Sequence, residues 1–162
     1  YGIFASRGQL DASVFLGGAY KNIRPDLKLK VGQWYHVAMV YEGDSLALYV
    51  DGKPQGRLPT KPLMKRKANW LPFIVGADPD VRGRPNSFFN GEIDEIRISK
   101  GARYNQPFEP KRRLTSDENT VIFLDCDRTV GPFLIDRSPQ GHSFRLTGDA
   151  HLTDVKESVK QE

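Results

Sequence analysis

Apolar residues along this chain recur in short runs and strict alternations rather than in helical stripes. Segments rich in Val, Ile, Leu, Tyr and Phe are separated by Gly, Pro, Asn and Asp, and no window sustains an apolar i, i+3, i+4, i+7 pattern. The pattern predicts a mainly β chain of about eight or nine strands. The clearest pair runs from Trp34 to Tyr41 and from Ser45 to Val50, joined through Glu42-Gly43-Asp44, a short turn suited to a hairpin. Both parities of the first segment are largely apolar, with Trp34, His36, Ala38 and Val40 on one and Tyr35, Val37, Met39 and Tyr41 on the other. That predicts a central strand covered on both sides. The second segment ends at Asp51-Gly52, a turn dipeptide, and Lys53-Pro54 opens a further hairpin.

Other candidate strands are Gly2 to Ser6, Ser13 to Tyr20, Phe73 to Gly76, Phe88 to Ser99, Thr120 to Asp125 and Ser143 to Thr147. The stretches 59–72 and 78–86 read as long loops, where binding residues tend to gather on a rigid scaffold. From Thr153 onward the chain is polar and charged and reads as a tail or linker.

Composition narrows the class. A chain of 162 residues with 38% hydrophobic and 27% charged residues is expected to form one globular core. No apolar run approaches the roughly 20 residues of a membrane helix, so no membrane insertion is expected. The chain opens at Tyr1 without a signal-like segment and reads as an excised piece, with a further segment expected upstream. Cys126 is the only cysteine, which rules out an internal disulfide. Net charge is +4, and Lys53, Arg57, Lys61, Lys65, Arg66 and Lys67 meet no acidic residue before Ala77. Such a run is either a solvated loop or a place for an anionic partner.

Two stretches carry a specific resemblance. Trp34-Tyr35-His36-Val37-Ala38 followed by Leu48-Tyr49-Val50-Asp51-Gly52, and later Ile74-Val75-Gly76-Ala77 with Phe89-Asn90-Gly91-Glu92-Ile93-Asp94-Glu95-Ile96-Arg97-Ile98-Ser99, resemble the laminin G-like (concanavalin A-like) domain in order and spacing. The resemblance implies an all-β, two-sheet antiparallel jelly-roll sandwich over 1–152, followed by a tail at 153–162. Trp34 is expected to be a core residue of that sandwich. The motif from Phe123 to Asp127, with Asp136-Arg137-Ser138-Pro139-Gln140-Gly141-His142, is similar to one that normally opens such domains, yet here it comes last. Residues 117–152 therefore either close the same sandwich or begin a second copy; closure is favoured because 1–99 lacks the opening half. The run from Ser99 to Tyr104 with Phe108-Glu109-Pro110 is similar to a continuation in bacterial multidomain proteins.

Because glycoside hydrolases share this fold, Glu92, Asp94 and Glu95 were compared with a catalytic carboxylate strand. Retaining hydrolysis needs two carboxyl groups on one side, about 5–5.5 Å apart. Glu92 and Asp94 share a parity, Ile96 takes the next place, and Glu95 points the other way unless a bulge intervenes. No catalytic residue is nominated and no enzyme is expected. His36, His142 and His151 lack zinc spacing, and His36 reads as a hydrogen-bonded core histidine. The parity of Asp94 with Ile96 and Ile98 puts a carboxylate near the buried face, where it requires a partner. The resemblance implies a structural Ca2+, with Asp94 as first candidate ligand and Asp78, Asp80, Asp125 and Asp127 behind it. The alternative for Asp94 is pairing with backbone N–H groups or with Arg97 or Arg103.

The function expected from the resemblance is noncatalytic binding on a larger protein that is extracellular, periplasmic or at the cell surface. Carbohydrate comes first, through loops or a sheet face. Trp70, Asn69, Arg66 and Lys67 share one long loop, and Tyr20, Arg84 and Tyr104 are candidates from elsewhere. The second expectation is adhesion to other domains of the parent protein. No nucleic acid is expected, since the basic loop lacks interleaved aromatics.

Overall fold

Glycine pairs and hairpin turns divide the chain into more, shorter strands than the apolar runs suggest. A computed structural model describes residues 1–61 and 70–154, and these are all-β, with every strand pairing antiparallel and no helix. The first sheet is a meander of β1 (Gly2–Ser6), β2 (Gln9–Leu16) and β3 (Ala19–Ile23). Gly17 and Gly18 both have positive φ, at 56° and 88°, which a two-residue hairpin requires and other residues resist. They split the expected Ser13 to Tyr20 strand in two.

The second sheet orders β4 (Val37–Tyr41), β5 (Ser45–Val50) and β6 (Lys53–Pro59). Pairing Met39 with Leu48, Tyr41 with Leu46 and Leu46 with Leu58 aligns these side chains on one face. That face packs with Ala12, Val14, Leu16 and Ile23 of the first sheet, forming a two-layer core. The two sheets approach closely at Gly56, where an added Cβ would lie 2.6 Å from Ile23 Cγ2.

The opposite face carries Ala38, Val40, Ala47 and Tyr49, packed with Tyr104 and Phe108. The rings of Tyr104 and Phe108 stack at 3.6 Å, with 6° between their planes. All six residues of β5 are buried, so β5 rather than β4 takes the doubly covered place. Gly52 fixes the covering segment. Its carbonyl accepts the Phe108 N–H at 3.0 Å, its φ is +71°, and a Cβ there would stand 1.6 Å from the Phe108 carbonyl oxygen.

Trp34 departs from expectation. It lies outside the strands and is 41% exposed. β5 turns away at Asp51, which uses its N–H and its Oδ1 to hold the backbone of His36 at 2.8 Å each. Nothing in β5 extends far enough to pair Trp34 and Tyr35. His36 instead sets its ring edge-on to Tyr104 and Phe108, at 6.1 and 5.5 Å. Phe73 to Gly76 forms no strand, while 78–86 contains a two-residue ladder of β7 (Asp78–Pro79) and β8 (Pro85–Asn86).

The remaining strands are β9 (Ile96–Ser99), β10 (Thr120–Val130), β11 (Phe133–Asp136) and β12 (Ser143–Arg145), in the order β12-β11-β10-β9. Ile96 pairs with Leu124 and Ile98 with Ile122, which joins the isoleucine-rich segment to the Phe123 motif. The chain separates into two compact units, one of residues 1–92 and 101–112, the other of 93–100 and 113 onward.

Candidate functional site

The side chains best arranged to meet a ligand stand on the outer face of the first sheet. Strand alternation sends Ala12, Val14 and Leu16 into the core and leaves Asp11, Ser13 and Phe15 on the other side. The glycine turn sets the register, placing Phe15 opposite Tyr20 and Ser13 opposite Asn22. Each outward residue of this row is braced by its neighbour on β2. Phe15 meets Tyr20 edge-to-face at 5.0 Å and 71°. The Ser13 hydroxyl donates to Asn22 Oδ1 at 2.9 Å. Arg24, just beyond β3, donates from Nε and Nη2 to Asp11 Oδ2 at 3.2 and 2.5 Å.

Tyr20 is 68% exposed, and the Arg24 side chain is 67% exposed against 17% for Asp11. At about 3.3 Å per residue, Tyr20 to Arg24 spans about 13 Å. Phe4 of β1 lies on the same side, its ring over Gly2, where an added Cβ would be 2.7 Å away. Of these, sequence reading named only Tyr20. The signal was present as Asp-x-Ser-x-Phe before the two glycines and Tyr-x-Asn-x-Arg after them; reading Gly17-Gly18 as the turn would have brought the rows together.

Among the described residues the other nominated ones fall in two places, Trp70 with Arg84 at the β7–β8 hairpin and Tyr104 against β4 and β5. Arg66, Lys67 and Asn69 lie outside the described residues. Trp70 is 70% exposed and comes near Gly83, where an added Cβ would be 3.2 Å from its ring. Arg84 belongs to the same β7–β8 hairpin, with its Nε on Asp80 Oδ2 at 3.1 Å. Tyr104 lies outside the strands and is half-buried, its ring packed with Phe108, Tyr49 and Ala38.

The nominated metal ligands are engaged otherwise. Asp80 accepts the N–H groups of Arg84 and Arg82 at 2.9 and 2.8 Å. The Arg84 N–H contributes most to holding its carboxyl below the usual value. Asp94 is exposed rather than near the buried face, and its Oδ1 accepts the Glu95 N–H at 2.9 Å. The reason is local: Glu95 has a φ of 44°, and β9 begins only at Ile96, so strand parity does not reach back to Asp94. Glu95 turns inward instead, accepting the Leu114 N–H at 2.9 Å and facing Arg113 at 3.4 Å. Asp127 also meets Arg113, at 3.2 Å, and Asp125 is paired with Arg137. Asp78 lies apart in β7. Among the described residues no three His, Cys, Asp or Glu side chains gather in a metal-holding group.

Cys126 follows Asp125 and precedes Asp127, and its thiol is half-buried. Burial first, then the charge of Asp94, pushes its thiol up to about 11.

Asp136 is the most heavily bonded carboxylate. Its Oδ1 accepts the Phe123 and Ser138 N–H groups at 2.9 and 2.8 Å. Its Oδ2 accepts the Ser138 hydroxyl at 2.8 Å and the His142 N–H and Nδ1 at 2.9 Å each. Burial works to raise its pKa, but these donors outweigh burial and hold it at about 2. It ties the connection from β11 to β12 to the backbone of β10 at Phe123.

Antiparallel sheets packed face to face, with β5 covered on both sides, are the elements of a β-sandwich. The family model of the concanavalin A-like lectin/glucanases superfamily, in its laminin G-like form, matches residues 2–106, and the chain belongs to that superfamily. At that level it is a module for binding carbohydrate or protein. No curated protein and no solved structure matches it.

Proposed function

We propose that this chain is a noncatalytic recognition module that takes carbohydrate on the outer face of the β1–β2–β3 sheet. The braced row Tyr20, Asn22 and Arg24 carries the reading. Sugar recognition wants an aromatic face beside amide and guanidinium groups, and side chains already held by cross-strand partners lose little freedom on binding. Its noncatalytic character is supported by Glu95 and Asp125, whose carboxylates are committed to arginine and backbone partners.

The test is calorimetry or a glycan array with the wild-type chain, Tyr20→Ala and Trp70→Ala. Tyr20→Ala is expected to weaken binding about tenfold through loss of stacking, with Trp70→Ala unchanged. Binding indifferent to Tyr20 but lost with Trp70 would move the site to the hairpin loop.

A second reading, contact with another protein domain, is favoured by the exposure of Trp70, Phe73, Val75, Val81, Phe88 and Phe89 between residues 70 and 89. It predicts that the parent protein's other domains are retained by wild type and released by a Trp70→Ala, Phe88→Ala double variant, with no glycan bound.

A further inference from the structure

The hydrogen-bonding inventory of the β3 row narrows the class of sugar. Asn22 has an acceptor oxygen and an NH2 donor, and Ser13 occupies one of the two lone pairs of the oxygen. Arg24 has five N–H donors and no acceptor; Asp11 takes Nε and one from Nη2. Because guanidinium is planar, the edge formed by Nη1 and the second Nη2 N–H lies away from Asp11 and is a ready fork for two oxygens. The one strong acceptor nearby is withheld: Asp11 Oδ2 is on Arg24, and Asp11 Oδ1 is buried. The row thus offers more donors than acceptors, with the Asn22 NH2 and the free Arg24 edge set against the Tyr20 hydroxyl and the second lone pair of Asn22 Oδ1. A neutral sugar brings several hydroxyl protons to a surface with few acceptors for them. A carboxylate or sulfate brings acceptors alone. The charge of this part of the chain agrees, since Arg7, Lys21, Arg24, Lys28 and Lys30 outnumber Asp11 and Asp26 between Tyr1 and His36.

We infer that the outer face of the β1–β2–β3 sheet binds an acidic glycan, with the free edge of the Arg24 guanidinium and the Asn22 amide on the anionic group and Tyr20 under the adjoining ring. This rests on the sheet-face reading above and adds the ligand's charge to it.

The experiment compares matched probes on the full chain by calorimetry at low and moderate salt. Oligogalacturonate is set against its methyl ester, and dextran sulfate against dextran. The acidic member of at least one pair is expected to bind about tenfold more tightly and to weaken as salt is added. The pair that shows the preference distinguishes carboxylate from sulfate. Arg24→Gln should abolish the preference, and Arg24→Lys should restore part of it, because charge returns without the fork. Circular dichroism matching wild type establishes that both variants are folded. Equal binding of neutral and acidic members, sensitive to Tyr20→Ala, would overturn the acidic inference and leave the sheet-face reading intact. A preference that survives Arg24→Gln would overturn the assignment to this row. Binding of none of the four probes would overturn both.

Discussion

Two regions of the molecule tie polar side chains to a carboxylate, and they do so in opposite senses. At the end of β11, Asp136 collects donors from Phe123, Ser138 and His142, and its side chain is wholly buried. Along β3 and just beyond it, bracing by Asp11 and Ser13 takes up much of the acceptor capacity and leaves donors of Arg24 and Asn22 exposed to solvent. The lesson lies in where unused bonding capacity ends up. A saturated, enclosed network specifies a fold. A held row with donors left over is the basis of the proposed recognition face.

The strongest way to break this contrast is Asp136→Asn. An amide NH2 in the place of Oδ2 would confront the Ser138 hydroxyl and both His142 donors. Denaturant unfolding should show a loss on the order of 3 kcal/mol. Affinity at the Tyr20 row should stay as in wild type; a variant of unchanged stability would deny Asp136 its organising role.

Acid acts on the same group more gently. An ordinary aspartate titrates at 3.8, and Asp136 at about 2 in the fold. Its contribution is therefore full above the unfolded value and lost as pH falls from about 4 through about 2, on the order of 2 kcal/mol. Urea midpoints measured across that window should fall in wild type and fall less in Asp136→Asn.

The smallest expected effect sharpens the other side. Ser13→Ala releases Asn22 Oδ1, and its stability change should stay within about 1 kcal/mol. Glycan affinity should drop about threefold as the amide loses its fixed orientation. Unchanged affinity would mean that bracing across β2 and β3 contributes nothing to recognition.

Much of the fold was legible because its signals are local. Gly2 to Ser6 and Ser45 to Val50 appear with the expected bounds, and Asp51-Gly52 turns as its dipeptide suggests. What failed depended on partners. Trp34 has high β-propensity, but no strand runs opposite it, and Asp94 lost its expected face when Glu95 took a positive φ. The candidate site lay in between. Its residues alternate visibly in the sequence, yet only the hairpin register reveals that Asp11, Ser13 and Phe15 each stand behind a residue of the neighbouring strand.

The clasp at Gly52 bears on where this module can be trimmed. The superfamily match ends at residue 106, two positions before the ring that stacks on Tyr104 and the N–H that docks onto the Asp51-Gly52 turn. Cutting at that boundary would strip the cover from Val40, Ala47 and Tyr49 and leave a greasy surface in water. A working excision has to carry the chain beyond Pro110, so the homology boundary and the physical boundary of this module are different places.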